Sequence, residues 1–177
     1  MNNSKRILFA LVFVSFFAWL IGCNKSNDNP SNVTVAENNM SYELNGVETK
    51  FTTCIADIHS TDSFMTVSIS ALSNDDTTRA LSITLGSSYA IKSGFTFNES
   101  TSSSNAEGFI SYLENTKGYH SLTINENAAA KVEVKITERT STNVKGTFTG
   151  KLYAQEDQQA APFVITGGQF NARIVQQ

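Results

Sequence analysis

The chain has 177 residues, 13 of them basic and 16 acidic, for a formal net charge of −3, with 40% hydrophobic residues. That length accommodates a single self-sufficient core. An acidic balance without a basic block excludes a nucleic-acid binder, because such binding depends on Lys and Arg displacing phosphate counterions.

The first element is a leader. Lys5 and Arg6 precede an apolar run from Ile7 to Ile21, broken only by Ser15, which is the layout of a secretory signal. A bilayer span needs roughly 20 apolar residues, so this run is short for a permanent span. It ends in Leu20-Ile21-Gly22-Cys23, which resembles the lipobox of bacterial lipoproteins. The resemblance implies that the Cys23 thiol is acylated, that residues 1–22 are removed as a signal peptide, and that Cys23 becomes the mature N-terminus. Each buried methylene of such an anchor contributes about 0.8 kcal/mol, and two or three palmitate-length chains hold far better than one. The expected partner at this end is the membrane itself. Asn24 stands where an aspartate would favour inner-membrane retention, so the expected location is the outer membrane of the cell envelope. Asn24 to Ser31 carries no acidic run, which leaves periplasmic and surface-exposed placement both open.

Removing Lys5 and Arg6 takes the mature net charge from −3 to −5, since every acidic residue follows Cys23. The only tryptophan, Trp19, leaves with the leader. With Cys23 acylated, Cys54 has no intramolecular partner, so the fold is expected to hold without a disulfide. Cys54 alternates with Ala56 and Ile58 and reads as a small buried hydrophobe, with His59 on the opposite strand face.

Residues 23–39 are rich in Asn, Ser and Asp and include Pro30, the composition of a flexible tether. The sixteen residues from Asn24 to Asn39 span roughly 20 Å. From Met40 to Gln177 the apolar period becomes two: Met65, Val67, Ile69 and Ala71; Leu81, Ile83 and Leu85; Val132, Val134 and Ile136. These are strands with one buried face. Asn45-Gly46 has the chemistry of a tight type I′ hairpin. Breaks at 73–78, 86–88, 98–107, 116–118, 125–127, 139–143 and 154–162 divide residues 40–177 into about nine or ten antiparallel strands. Glu126 to Lys131 is the one short helix candidate. The expected fold is all-β, one antiparallel β-sandwich or partly closed barrel.

The strongest pattern lies near the C-terminus. Val144, Phe148 and Leu152 share a face with Gly146 and Gly150, leaving room for the Phe148 ring along the strand, for a second sheet, or for a cavity. Gly167-Gly168 interrupts the last strand as a bulge would. Ile136-Thr137, Gly146-Thr147-Phe148 and Ile165-Thr166-Gly167-Gly168-Gln169-Phe170, together with the lipobox, tether and N-G hairpin, resemble a family of small uncharacterised lipoproteins of Bacteroidetes. The resemblance implies an all-β fold and brings no assigned chemistry.

For a metal, the nearest cluster is Asp57, His59 and Asp62, but a zinc site wants three or four ligands and the chain has two histidines. Asn74-Asp75-Asp76 lacks the spacing of a calcium loop. No G-x-S-x-G elbow, phosphate loop or dinucleotide fingerprint occurs. Neither a cofactor nor a catalytic residue is expected. The function expected is a membrane-anchored, non-catalytic binding or assembly module that contacts an envelope protein, a glycan or a host molecule. Tyr89, Tyr112 and Tyr119 would have to serve any glycan, because no tryptophan remains. The alternative is a lipocalin-like carrier with an enclosed cavity; a hydrolase, which needs converging carboxylates, ranks third.

Overall fold

Alternating branched or aromatic residues with Ser and Thr turns one side of a pleated strand toward a core and the other toward water. In the computed structural model of the protein this rule governs every long element. The structure describes residues 35–73, 79–99, 105–121 and 132–175. Among them are eleven strands and no helix: β1 (Asn39–Leu44), β2 (Val47–Phe51), β3 (Thr53–Ser60), β4 (Met65–Leu72), β5 (Arg79–Ser87), β6 (Thr96–Asn98), β7 (Ala106–Glu114), β8 (Lys117–His120), β9 (Glu133–Arg139), β10 (Asn143–Ala154) and β11 (Phe163–Val175). The count exceeds nine or ten because three-residue β6 is too short for alternation to reveal. The leader, Cys23, the residues before Val35, the Asn74-Asp75-Asp76 turn and the Glu126 to Lys131 helix candidate lie outside the described residues.

All strands join one sheet in the order β2-β1-β11-β3-β4-β5-β7-β8-β10-β9-β6, with β10 also paired to β11. The two longest strands are shared between layers. On one flank of β11, β1 pairs with Ile165 to Asn171 and β3 with Arg173 to Val175. On one flank of β10, β9 covers Val144 to Thr149 and β8 takes Tyr153 and Ala154. The pairings therefore run in a ring through β11, β3, β4, β5, β7, β8 and β10, closed at opposite ends of the β10–β11 hairpin. One layer is β2-β1-β11-β10-β9-β6, and the other is β3-β4-β5-β7-β8.

The sheet is mixed, because β3 runs parallel to β11, whereas the sequence reading expects antiparallel strands throughout. The cause is the corner at Thr52. Strand β2 is antiparallel to β1, and β1 to β11, so β2 runs in the direction of β11. After Thr52 the chain continues that direction into β3 in the other layer.

The hairpin at Asn45-Gly46 has φ of 52° and 80° at its two residues, as a type I′ turn requires. The bulge in β11 also appears as expected. Phe148 pairs with Gly168 but Gly150 with Ile165, so β11 carries one extra residue there, and Gly167 takes a φ of 60°. Val35, whose composition groups it with the tether, is tied to the domain: its carbonyl accepts from Asn171 Nδ2 at 3.1 Å.

A single core lies between the layers, with Met40, Tyr42, Phe51, Phe148 and Phe170 from one and Val67, Ile69, Leu81, Ile83, Leu85 and Ile110 from the other. Cys54 is among them and fully buried, and burial pushes its thiol up to about 12.

Candidate functional site

The same alternation that builds the core sorts the outward residues, and the two layers differ sharply there. The outer face of the first layer presents Glu43, Glu48, Lys50, Glu133, Lys135, Lys145 and Lys151 among threonines. Two of its lysines are paired, Lys50 with Glu48 at 2.8 Å and Lys145 with Glu138 at 3.0 Å. This is an ordinary solvated surface.

The outer face of the second layer is different. Because β4, β5, β7 and β8 pair antiparallel in register, Ser70 lies opposite Ser82, Ser82 opposite Ser111, and Ser111 opposite His120. Four residues far apart in sequence thus form one row across four strands, roughly 14 Å long at about 4.8 Å per strand. The next row is Leu72, Ala80, Leu113 and Gly118. Leu72 is 52% and Leu113 38% exposed, two of the most exposed large apolar side chains described.

Small side chains on these rows leave a groove of about 360 Å³, bounded also by Tyr119 and Gln155. Its lining takes in inward-facing neighbours such as Ala71, Leu81 and Tyr112, so sheet backbone forms its floor. Among the described residues, none that lines it is Asp, Glu, Lys or Arg. His120 Nε2 is buried without a hydrogen-bond partner. In the protein interior such a group costs free energy, and because that nitrogen is closed to solvent it offers no contact to a ligand in the groove. Ser111 beside His120 has two of the groups of a nucleophile and its base, and among the described residues no carboxylate lines the groove to orient the imidazole.

Of the residues singled out from sequence, Tyr112 and Tyr119 border the groove and the others fall elsewhere. Asp57 and His59 share the outer face of β3, with Asp62 in the turn beyond it. Among the described residues no group of three or more His, Cys, Asp or Glu side chains is placed to hold a metal. Tyr112 and Tyr119 face inward and join Phe163, with Tyr119 and Phe163 stacked at 4.3 Å between ring centroids. Tyr89 is 63% exposed in the loop after β5. The three tyrosines therefore do not form a platform. Gly146 beside Phe148 marks no cavity either, since a Cβ there would collide with the Phe170 ring and the Lys135 carbonyl.

A second, polar recess of about 240 Å³ lies between Glu37, Glu138, Thr140, Thr142, Asn143, Lys145 and Asn171. Its groups serve each other: Asn143 Nδ2 donates to Asn171 Oδ1 at 3.2 Å, and Lys145 meets Glu138. That network fastens the chain around Val35 to the end of the β10–β11 hairpin.

Sequence reasoning misses Ser70, Ser82, Ser111, His120 and Gln155. A usable signal was present: the outward positions from Thr66 to Leu72 and from Ala80 to Gly86 carry no charge, whereas those from Glu133 to Lys135 and from Lys145 to Lys151 do.

No protein-family model matches this chain, and no curated protein or solved structure matches it significantly.

Proposed function

We propose that the protein is a lipid-anchored lipoprotein of the cell envelope whose β domain is a non-catalytic binding module, and that it binds through the groove on the outer face of β4, β5, β7 and β8. The observation that carries the binding reading is a groove lined by Ser70, Ser82 and Ser111 and, among the described residues, by no charged side chain. A groove of this volume falls within the range of small-ligand sites, about 300–1,000 Å³.

Leu20-Ile21-Gly22-Cys23 supports the anchor, and Asn24 supports residence in the outer membrane. The likeness to small Bacteroidetes lipoproteins rests on the glycine and phenylalanine segments that β10 and β11 pack together. A lipocalin-like carrier is disfavoured because Tyr42, Phe51, Phe148 and Phe170 occupy the space between the layers.

Two measurements test the proposal. Mass spectrometry of the protein from membranes should find a chain beginning at acylated Cys23; an intact leader or a free Cys23 thiol would count against the anchor. Affinity capture from detergent-solubilised envelopes should recover a partner or glycan that is lost with Ser111→Arg. Equal recovery by both forms, or by neither, would count against the groove.

A further inference from the structure

We infer that the groove recognises a neutral saccharide of one to three units; this rests on the binding-module reading above and names its ligand class. Among the described residues of this net acidic domain, no Asp, Glu, Lys or Arg lines the groove to neutralise an ionic ligand, and desolvating an unpaired charge there would be costly.

Hydrogen-bonding capacity comes next. Ser70, Ser82 and Ser111 each carry a hydroxyl that donates and accepts, and the Gln155 amide does both. Sugar hydroxyls have the same dual capacity, and a row stepping about 4.8 Å per strand matches a ligand with polar groups spread along its length. The C–H face of a sugar ring requires an apolar counterpart. Leu72 and Leu113, exposed and in the adjoining row, supply it in place of the aromatic platform that the described tyrosines do not form.

Size decides against a protein occupant. The charge-free face lies on β4, β5, β7 and β8, is bounded by Asp57 on β3, and covers roughly 300 Å², well under the about 800 Å² per partner that a standard protein interface buries. A second copy of this chain is disfavoured on the same ground.

The test uses isotope-labelled mature protein in detergent micelles, titrated with maltotriose, cellotriose and mannotriose, with a sulfated chondroitin disaccharide and triglycine as controls. The inference predicts saturable amide shifts at Ser82, Ser111 and Gly118 with at least one neutral trisaccharide. Ser111→Arg should weaken that binding roughly tenfold or more while leaving the thermal midpoint within about 2 °C. No groove shifts with any neutral sugar, shifts located elsewhere, or equal response to the sulfated disaccharide or to triglycine would overturn the ligand class. If sugars fail while envelope capture still depends on Ser111, the module reading survives and only the saccharide falls. If neither depends on Ser111, both fall.

Discussion

The ring of Phe170 lies over the bare α-carbon of Gly146 on the paired strand, and two residues along β10 Phe148 faces Gly168 in the same way. Each phenylalanine occupies the space that a side chain on the opposite glycine would need. Gly146→Ala should therefore cost about 2 kcal/mol through overpacking, lowering the thermal midpoint by about 4–8 °C. A Cβ on Gly168 would come within 2.7 Å of Phe148 Cδ1, so Gly168→Ala should behave alike. A midpoint unchanged by both substitutions would contradict this packing.

Three serines separate structure from binding. Ser121 is 2% exposed and its Oγ accepts the Ile110 N–H at 3.0 Å, so Ser121→Ala should cost about 1–3 kcal/mol. Ser82 and Ser111 point outward, and alanine at either should shift stability by no more than about 0.5 kcal/mol. Urea midpoints of the three variants test the contrast, which fails if Ser111→Ala destabilises as much as Ser121→Ala.

The Asn45-Gly46 turn does two jobs. Gly46 sits at a φ of 80°, and Asn45 Oδ1 accepts from Val164 N at 2.8 Å, tying the hairpin to β11. Gly46→Ala should cost about 1–2 kcal/mol through backbone strain, and Asn45→Ala about 1 kcal/mol for the lost bond. Chemical denaturation checks both values.

Alkaline pH should loosen the fold. Burial raises the Cys54 thiol from 9.0 to about 12. Burial also takes the Tyr112 hydroxyl from 10.0 to about 12, aided by the nearby Glu114 carboxylate. Above pH 9 the unfolded chain releases the thiol proton while the folded chain keeps it, so stability falls as pH rises from about 9 toward 12. Tyr112 adds to the slope above pH 10. Cys54→Ala should flatten the decline between pH 9 and 10. An urea midpoint that is level from pH 8 to 11 would contradict both assignments.

Much of the fold was legible along the chain. Val67, Ile69 and Ala71 announced β4 by period two, and Asn45-Gly46 announced its turn, because both signals are local. The Gly167 bulge was legible too, since only a glycine pair interrupts that strand. Which strand pairs with which was not. The parallel contact of β3 with β11 follows from the corner at Thr52, and no periodicity encodes it. The groove was hidden for the same reason. Ser70, Ser82, Ser111 and His120 each read as an ordinary outward polar residue until register sets them side by side, and Leu72 and Leu113 become a patch only through Ala80 between them.

The most direct test places a photo-crosslinking benzoylphenylalanine at Ser82 in the groove and, as a control, at Thr149 on the charged outer face of the first layer, in cells carrying the full chain. If the groove is the working surface, irradiation yields a discrete heavier species from position 82, carrying carbohydrate or partner mass, and none from position 149. No adduct at 82, or the same adducts from both positions, would contradict the account.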